Sequence, residues 1–310
     1  MRLYTTSLGK LFTGDVIKTL NNESELINYH NKVNLVFTSP PFPLLKEKDY
    51  GNLNGQEYID WMVNVVKSLL PFVVDDGSIV IEIGNAWNPG EPTMSTIPIE
   101  TLLKIKEETG LFLCQEIICH NPSRLPAPIQ WVNRERSRLK DSYTRLWWFS
   151  KTARPKSNNG KVLKEYSDQM KRIIEKKKYN SGKRPSGYNI SPTSFLRDNG
   201  GAISASFISE IDEFLFESNM NSSLIYSNTS VEKNYRDYCT KHKLKIHPAR
   251  MSPKLVDFFL HFLTETNDLV LDPFAGSNTT GWRAEINGRR WIGIERDRAY
   301  AMASQARFLP

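Results

Sequence analysis

Cys114, Cys119 and Cys239 are the only cysteines among 310 residues, and none shares the short spacing of a metal knuckle or a redox pair. A disulfide framework and a cysteine-built metal centre are therefore not expected. No apolar run approaches the length needed to cross a bilayer, and nothing reads as a secretory leader, so a reducing, cytoplasmic setting is expected. The dinucleotide fingerprint G-x-G-x-x-G is missing, which disfavours an NAD-dependent oxidoreductase. No internal repeat is visible.

The length suits one or two domains with a large core. The formal net charge is +7, and its distribution is uneven. Residues 151–246 hold 18 of the 41 basic and 10 of the 34 acidic residues, leaving 23 and 24 elsewhere. The excess thus lies in one segment, either as a solvated basic face or as a surface that meets phosphates. Lys176-Lys177-Lys178 and Lys183-Arg184 are its charge clusters, and Asn158-Asn159-Gly160 and Asn199-Gly200-Gly201 its turn signals.

Outside that segment, apolar runs alternate with helical patterning. Strands are expected near residues 10–13, 34–38, 78–83, 112–119, 144–150, 269–272 and 291–294, and helices over 16–28, 56–70, 96–109, 253–264, 279–287 and 297–307. This alternation predicts an α/β fold with a mostly parallel, seven-stranded sheet and helices on both faces. Cys114 and Cys119 fall in a strand-like run and should be buried thiols.

Two motifs carry chemistry. Ser39-Pro40-Pro41-Phe42 follows the apolar run Val33–Phe37, and two prolines force a sharp turn at the strand's carboxyl end, where open α/β sheets bind ligands. A hydroxyl, a fixed carbonyl and an aromatic ring are presented together there. They can accept both hydrogens of an exocyclic amine while the ring stacks on a flat base; a rigid surface turn is the plainer alternative. The second motif, Asp272-Pro273-Phe274-Ala275-Gly276-Ser277-Asn278-Thr279, reads as strand end, glycine loop and helix cap. Glu295 ends the next strand about 20 residues past the glycine, a spacing that suits ribose hydroxyls of a nucleotide-like cofactor.

Together, Thr38–Phe42 and Asp272–Gly276 resemble the amino DNA methyltransferases that use S-adenosylmethionine. The catalytic motif precedes the cofactor loop, as in their permuted β group. Further similarity to the PvuII-type cytosine-N4 enzymes covers nearly the whole chain. It runs through Tyr50-Gly51-Asn52-Leu53, Trp131-Val132-Asn133, Trp147–Lys151, Arg184-Pro185-Ser186-Gly187, Asp198–Gly201, His247-Pro248-Ala249-Arg250 and Gly276–Gly281.

The resemblance implies a Rossmann-like methyltransferase acting on double-stranded DNA, with S-adenosylmethionine as cofactor and no metal. Residues 1–151 would form the catalytic half, 152–246 the target-recognition region and 247–310 the cofactor half. Cofactor contacts are expected from Asp272–Thr279 and Glu295, with Asp15, Glu82 and His247 as further candidates. Asp15 reads equally as a helix cap, Glu82 as an exposed strand-end carboxylate, and His247 as a structural histidine. Candidate DNA contacts are Lys176, Lys177, Lys178, Lys183, Arg184, Ser186, Gly187 and Asn199. Trp147 and Trp148 should pack the core, with one a candidate for the base pocket.

Serine at the first motif position suits cytosine N4, with adenine N6 as the alternative. Carbon-5 chemistry is disfavoured because no cysteine follows a proline. A prokaryotic or phage source, a companion restriction endonuclease without stable contact, and a monomer or weak dimer complete the expectation.

Overall fold

In a computed structural model that describes residues 1–43, 53–209, 212–216 and 228–309, all seven expected strands are present. They are β2 (Gly9–Thr13), β3 (Val33–Thr38), β4 (Val73–Gly84), β5 (Phe112–His120), β6 (Tyr143–Ser150), β12 (Leu269–Asp272) and β13 (Arg290–Glu295). Two edge strands join them, β1 (Arg2–Thr5) and β10 (Phe207–Ser209), giving the order β1-β2-β13-β12-β3-β4-β6-β5-β10. From β2 to β4 all neighbours are parallel; β6 runs against both β4 and β5.

The central strands are apolar on both faces, as a sheet covered on both sides requires. Val36, Ile79, Ile81, Leu271 and Ile292 enter one core layer, while Leu35, Phe37, Val80 and Val270 enter the other. Helices α1 (Val16–Asn22), α3 (Gly55–Leu69) and α4 (Ile97–Thr109) cover the first layer, and α7 (Pro253–Leu263), α8 (Thr279–Ile286) and α9 (Arg298–Ser304) the second. In α3 the buried positions Tyr58, Ile59, Met62, Val63, Val66 and Leu69 recur at helical spacing. Burying a leucine or phenylalanine fully contributes ~1.5–3 kcal/mol, so these layers supply most of the driving force.

Several details differ from expectation. The helix expected over 16–28 breaks at Glu23, whose extended backbone (φ −79°, ψ 107°) separates α1 from the short α2 (Ser24–Ile27). The run Asn21-Asn22 is a weak helix former, and the Glu23 N–H closes α1 on Thr19. The last helix ends at Ser304 and tightens into a 3₁₀ turn over Gln305–Phe308. Cys119 is buried, but Cys114 is only half-buried, at an irregularity in the pairing of β5 with β6.

Within the described part of residues 152–246 the strands are only two or three residues long and are accompanied by two α-helices. Besides β10, these elements are β7 (Leu163–Lys164), β8 (Gly182–Lys183), β9 (Asn189–Ile190), β11 (Phe214–Leu215), α5 (Asp168–Lys176) and α6 (Asn228–Lys241). The segment is stitched to the main body by β10, which pairs with β5, and by Val162, which enters the second core layer; β7 pairs with β11 inside it. Among the described residues no helix is long and apolar enough to cross a membrane.

Candidate active site

The parallel register brings the carboxyl ends of five strands to one edge. Thr38 pairs with Ile81, so Ser39 and Glu82 stand one step beyond that pair on neighbouring strands. Asp272 pairs with Gly293, and Thr13 with Glu295. Asp15, Ser39, Glu82, Asp272 and Glu295 therefore share one end of the sheet.

Asp272 is buried at the join between β12 and β3. Its Oδ1 accepts from the Thr38 hydroxyl at 2.7 Å and from the Phe274 N–H at 3.0 Å, and its Oδ2 accepts from the Thr280 hydroxyl at 2.7 Å. Burial pushes its pKa up, and these hydrogen bonds oppose that shift. The carboxylate thus fixes the last residue before the double-proline turn to the first turn of α8.

The glycine loop is held from several sides. Gly276 adopts a left-handed backbone (φ +52°), and a β-carbon there would lie 3.1 Å from Nε2 of His247. The Gly276 N–H donates to Glu295 Oε2 at 2.7 Å, while Glu295 Oε1 accepts from the Asp297 N–H at 2.7 Å. Burial raises the Glu295 pKa, and the two N–H groups hold it down. Asn278 caps α8 through the Gly281 N–H at 3.0 Å and donates to the Tyr4 hydroxyl at 3.0 Å. Arg307 braces the loop from behind, donating from Nε to the Ser277 carbonyl at 2.7 Å. Phe274 turns its ring toward Trp61, with centroids 5.4 Å apart, and Ala275 donates its N–H to the Ile294 carbonyl at 2.9 Å.

Around the double-proline turn, Pro40 is buried and Ser39, Pro41 and Phe42 are half-buried. The Phe42 ring lies over Gly84, where a β-carbon would come within 2.5 Å of it, so the terminal glycine of β4 makes room for that ring. Glu82 accepts from the Thr144 hydroxyl at 2.8 Å.

Asp15 is the α1 cap, accepting from the Lys18 N–H at 3.1 Å. His247 donates from Nδ1 to the Ala249 carbonyl and packs edge-on to Tyr300 at 4.6 Å; burial lowers its pKa. Trp147 and Trp148 are both buried in the two core layers, and Trp148 donates to the Ser78 hydroxyl at 2.9 Å.

The candidates for DNA contact lie outside the strands that form this edge. Lys176, Lys177, Lys178, Lys183, Ser186, Gly187 and Asn199 are exposed. Arg184 is half-buried, stacks 5.9 Å from Tyr179 and closes a turn with Gly187 at 2.9 Å. Asn199 is held through its N–H to the Tyr166 hydroxyl at 2.9 Å. Tyr50, Gly51 and Asn52 lie outside the described residues.

Comparison with known proteins agrees with this architecture. The profile of the DNA methylase family matches residues 33–306. The chain belongs to that family. Among curated relatives, the type II methyltransferase M.PvuII of Proteus hauseri is 41% identical over 99% of this chain and 85% of its own length. M.BglII of Bacillus subtilis is 24% identical over 94% and 67%. The solved PvuII DNA methyltransferase (cytosine-N4-specific) superposes with a TM-score of 0.71 at 33% identity, covering 99% of this chain and 88% of that one. The complex of M1.HpyAVI with SAM shares the fold, with a TM-score of 0.50 at 19% identity over 98% and 100% of the two chains.

The methylase fold is thus the α/β architecture expected from the strand pattern. Thr38, Tyr4 and Arg307, which brace the two motifs, were not among the expected site residues. Arg307 and Tyr4 carry no local signal, because each meets the loop only through the folded sheet.

Proposed function

We propose that this methylase transfers a methyl group from S-adenosylmethionine to the exocyclic N4 amine of a cytosine extruded from double-stranded DNA. One observation carries the reading: the turn Ser39–Phe42 and the loop Asp272–Gly276 end adjacent parallel strands and are joined by the 2.7 Å bond from Thr38 to Asp272. The serine that opens the motif and the 41% identity to M.PvuII favour cytosine over adenine.

The residues present fit the cofactor on two counts. Gly276 keeps a left-handed backbone that leaves only hydrogen between the loop and His247. Glu295, with each oxygen holding one backbone N–H, retains further lone pairs for ribose hydroxyls. Asp272–Thr279 and Glu295 would hold the cofactor, with Asp15, Glu82 and His247 completing its surroundings. S-adenosylmethionine supplies an electrophilic methyl on a positively charged sulfur.

The cytosine amine is a weak nucleophile because its lone pair is delocalised into the ring. The Ser39 hydroxyl and Pro40 carbonyl accept its two hydrogens and favour a tetrahedral nitrogen, while Phe42 stacks on the base. This is orientation with preorganised electrostatic stabilisation, and it forms no covalent link to the protein. Glu82, one step beyond the strand pair that precedes Ser39, is a carboxylate able to take the released proton. A paired base cannot reach the turn, so extrusion costs a few kcal/mol of stacking and pairing.

Residues 152–246 supply duplex recognition, with Lys176–Lys178, Lys183 and Arg184 on phosphates and Ser186, Gly187 and Asn199 toward the bases. The type II relatives support a restriction-modification role in a prokaryotic cytoplasm, alongside an endonuclease of the same specificity. Nucleoside mass spectrometry of duplex DNA methylated by the purified protein tests the reaction. N4-methylcytosine is expected; N6-methyladenine would reject the base assignment.

A further inference from the structure

We propose that the loop over residues 121–142, between β5 and β6, is a second DNA-facing surface. In it Leu139 enters the base stack beside the extruded cytosine while Arg134 and Arg136 bind the flanking phosphates. The inference rests on the base extrusion proposed above and locates the groups that sustain it.

Position comes first. His120 pairs with Tyr143, so the loop leaves and re-enters the sheet at one end of β5 and β6. Gly84 pairs with Thr144, and Gly84 is the residue under the Phe42 ring. The loop therefore rises two strands from the Ser39–Phe42 turn, with β4 between them, on the same edge of the sheet.

The loop is also built. Asp141 donates its N–H to the Ala127 carbonyl at 3.0 Å, and Ser137 to the Trp131 carbonyl at 2.9 Å. Asn85, just past β4, donates to Asp141 Oδ1 at 2.7 Å, and Arg138 reaches the Pro92 carbonyl at 2.8 Å. It is a braced projection from the catalytic half.

Its charge is one-sided. Residues 121–141 contain five basic residues and two acidic ones. Both carboxylates are engaged within the protein: Glu135 accepts from Gln130 at 2.8 Å, and Asp141 accepts from Asn85 and lies 3.8 Å from Arg124. Arg134, Arg136 and Arg138 are exposed and make no ion pair among the described residues. Averaging over everything outside 151–246 hides this excess.

Its apolar side chains point outward. Leu139 is 91% exposed and Leu125 81% exposed, although leucine gains nothing from water. Leu139 sits between Arg138 and Lys140. A large apolar side chain on a basic loop suits a stacked duplex with one base removed, where it fills an apolar gap while Arg134 and Arg136 meet the flanking phosphates.

Duplexes carrying 2-aminopurine beside an intact target cytosine report extrusion by fluorescence. Leu139→Ala should remove most of that rise and slow methylation of a paired duplex by ~10-fold or more, while a target opposite an abasic site, already cheap to extrude, is methylated at close to the parental rate. Arg134→Gln with Arg136→Gln should lower the slope of log affinity against log salt by about 0.9 for each phosphate no longer neutralised.

Parental behaviour of Leu139→Ala on the paired duplex, or an equal defect on both duplexes, would overturn the stacking role. An unchanged slope in the double variant would overturn the phosphate role. A parent enzyme that methylates without any fluorescence rise would instead reject base extrusion itself, and the stacking role with it. Leu139 is too exposed for its loss to empty a core, and thermal melting of each variant verifies that.

Discussion

The Thr38 hydroxyl donates to Asp272 Oδ1 at 2.7 Å, joining the strand that ends in the double-proline turn to the strand that ends in the glycine loop. Both partners are buried. Thr38→Val keeps the shape and removes the donor, leaving Asp272 with Thr280 and the Phe274 N–H. Loss of a bond to a buried carboxylate costs ~1.5–3 kcal/mol. Urea unfolding should register that loss, and cofactor affinity should fall with it because the two motifs lose their shared anchor. An unchanged midpoint would show that the remaining donors suffice.

Ser39→Ala and Phe42→Ala should impair transfer while leaving cofactor binding near parental, since the proposed mechanism has both residues act on the base. Losing one preorganised acceptor costs about 10²-fold in rate by analogy with oxyanion-hole deletions. Single-turnover rates, with cofactor affinity measured separately by calorimetry, check this. A parental rate for Ser39→Ala would reject the mechanism.

Under the proposed function Glu295 links cofactor binding to loop shape, because its two oxygens hold the N–H groups of Gly276 and Asp297. Glu295→Ala should weaken S-adenosylmethionine binding by ~1.5–3 kcal/mol, the worth of a hydrogen bond to a charged group. Glu295→Gln, which keeps one carbonyl oxygen, should fall between alanine and the parent in calorimetric affinity. Equal affinities for all three proteins would remove Glu295 from the site.

Neutralising Lys176, Lys177 and Lys178 together should weaken binding to cognate and scrambled duplexes alike. It should also flatten the salt dependence by roughly 0.9 for each phosphate that these lysines had neutralised. Substitutions at Ser186, Gly187 or Asn199 should instead change sequence preference. Salt titrations on both duplexes separate the two effects; an unchanged slope in the lysine variant would put the DNA path elsewhere.

His261 is neutral in the fold. Burial lowers its pKa to about 4, and its ring donates from Nε2 to Asn287 at 3.0 Å while stacking on Phe216 at 4.5 Å. An unfolded histidine titrates near 6.5, so the unfolded chain takes up the proton first as pH falls. The stability held above pH ~6.5 is therefore lost progressively toward pH 4, by up to about 3 kcal/mol. Urea midpoints between pH 7.5 and pH 4.5 should fall less steeply in His261→Phe than in the parent; parallel profiles would assign the acid sensitivity to other groups.

The central strands were legible because burial on two faces writes continuous runs such as Val33–Phe37 and Leu269–Leu271. The edge strands β1 and β10 were not, since Arg2–Thr5 and Phe207–Ser209 are short and partly exposed and lack that pattern. The break at Glu23 turns on one residue's backbone, below the resolution of helical periodicity. Glu295 could be marked from its spacing to Gly276, which reflects one strand–helix–strand unit. Thr38 could not be paired with Asp272 without the sheet order, and Arg307 reaches Ser277 only after the chain's last turn folds back.

The pairing of Gly9 with Trp291 spans nearly the whole chain. While the protein is being synthesised, β2 has no partner on its β13 side until β13 emerges from the ribosome. Strands β3 to β6, which are close in sequence, can pair first; the joins of β2 with β13 and of β12 with β3 must wait for closures of very long range, the slow kind of step in folding. A chain that has emerged only as far as β6 can thus display the double-proline turn without the glycine loop beside it, so the two motifs that meet at Thr38 and Asp272 come together only after the strands between them have paired.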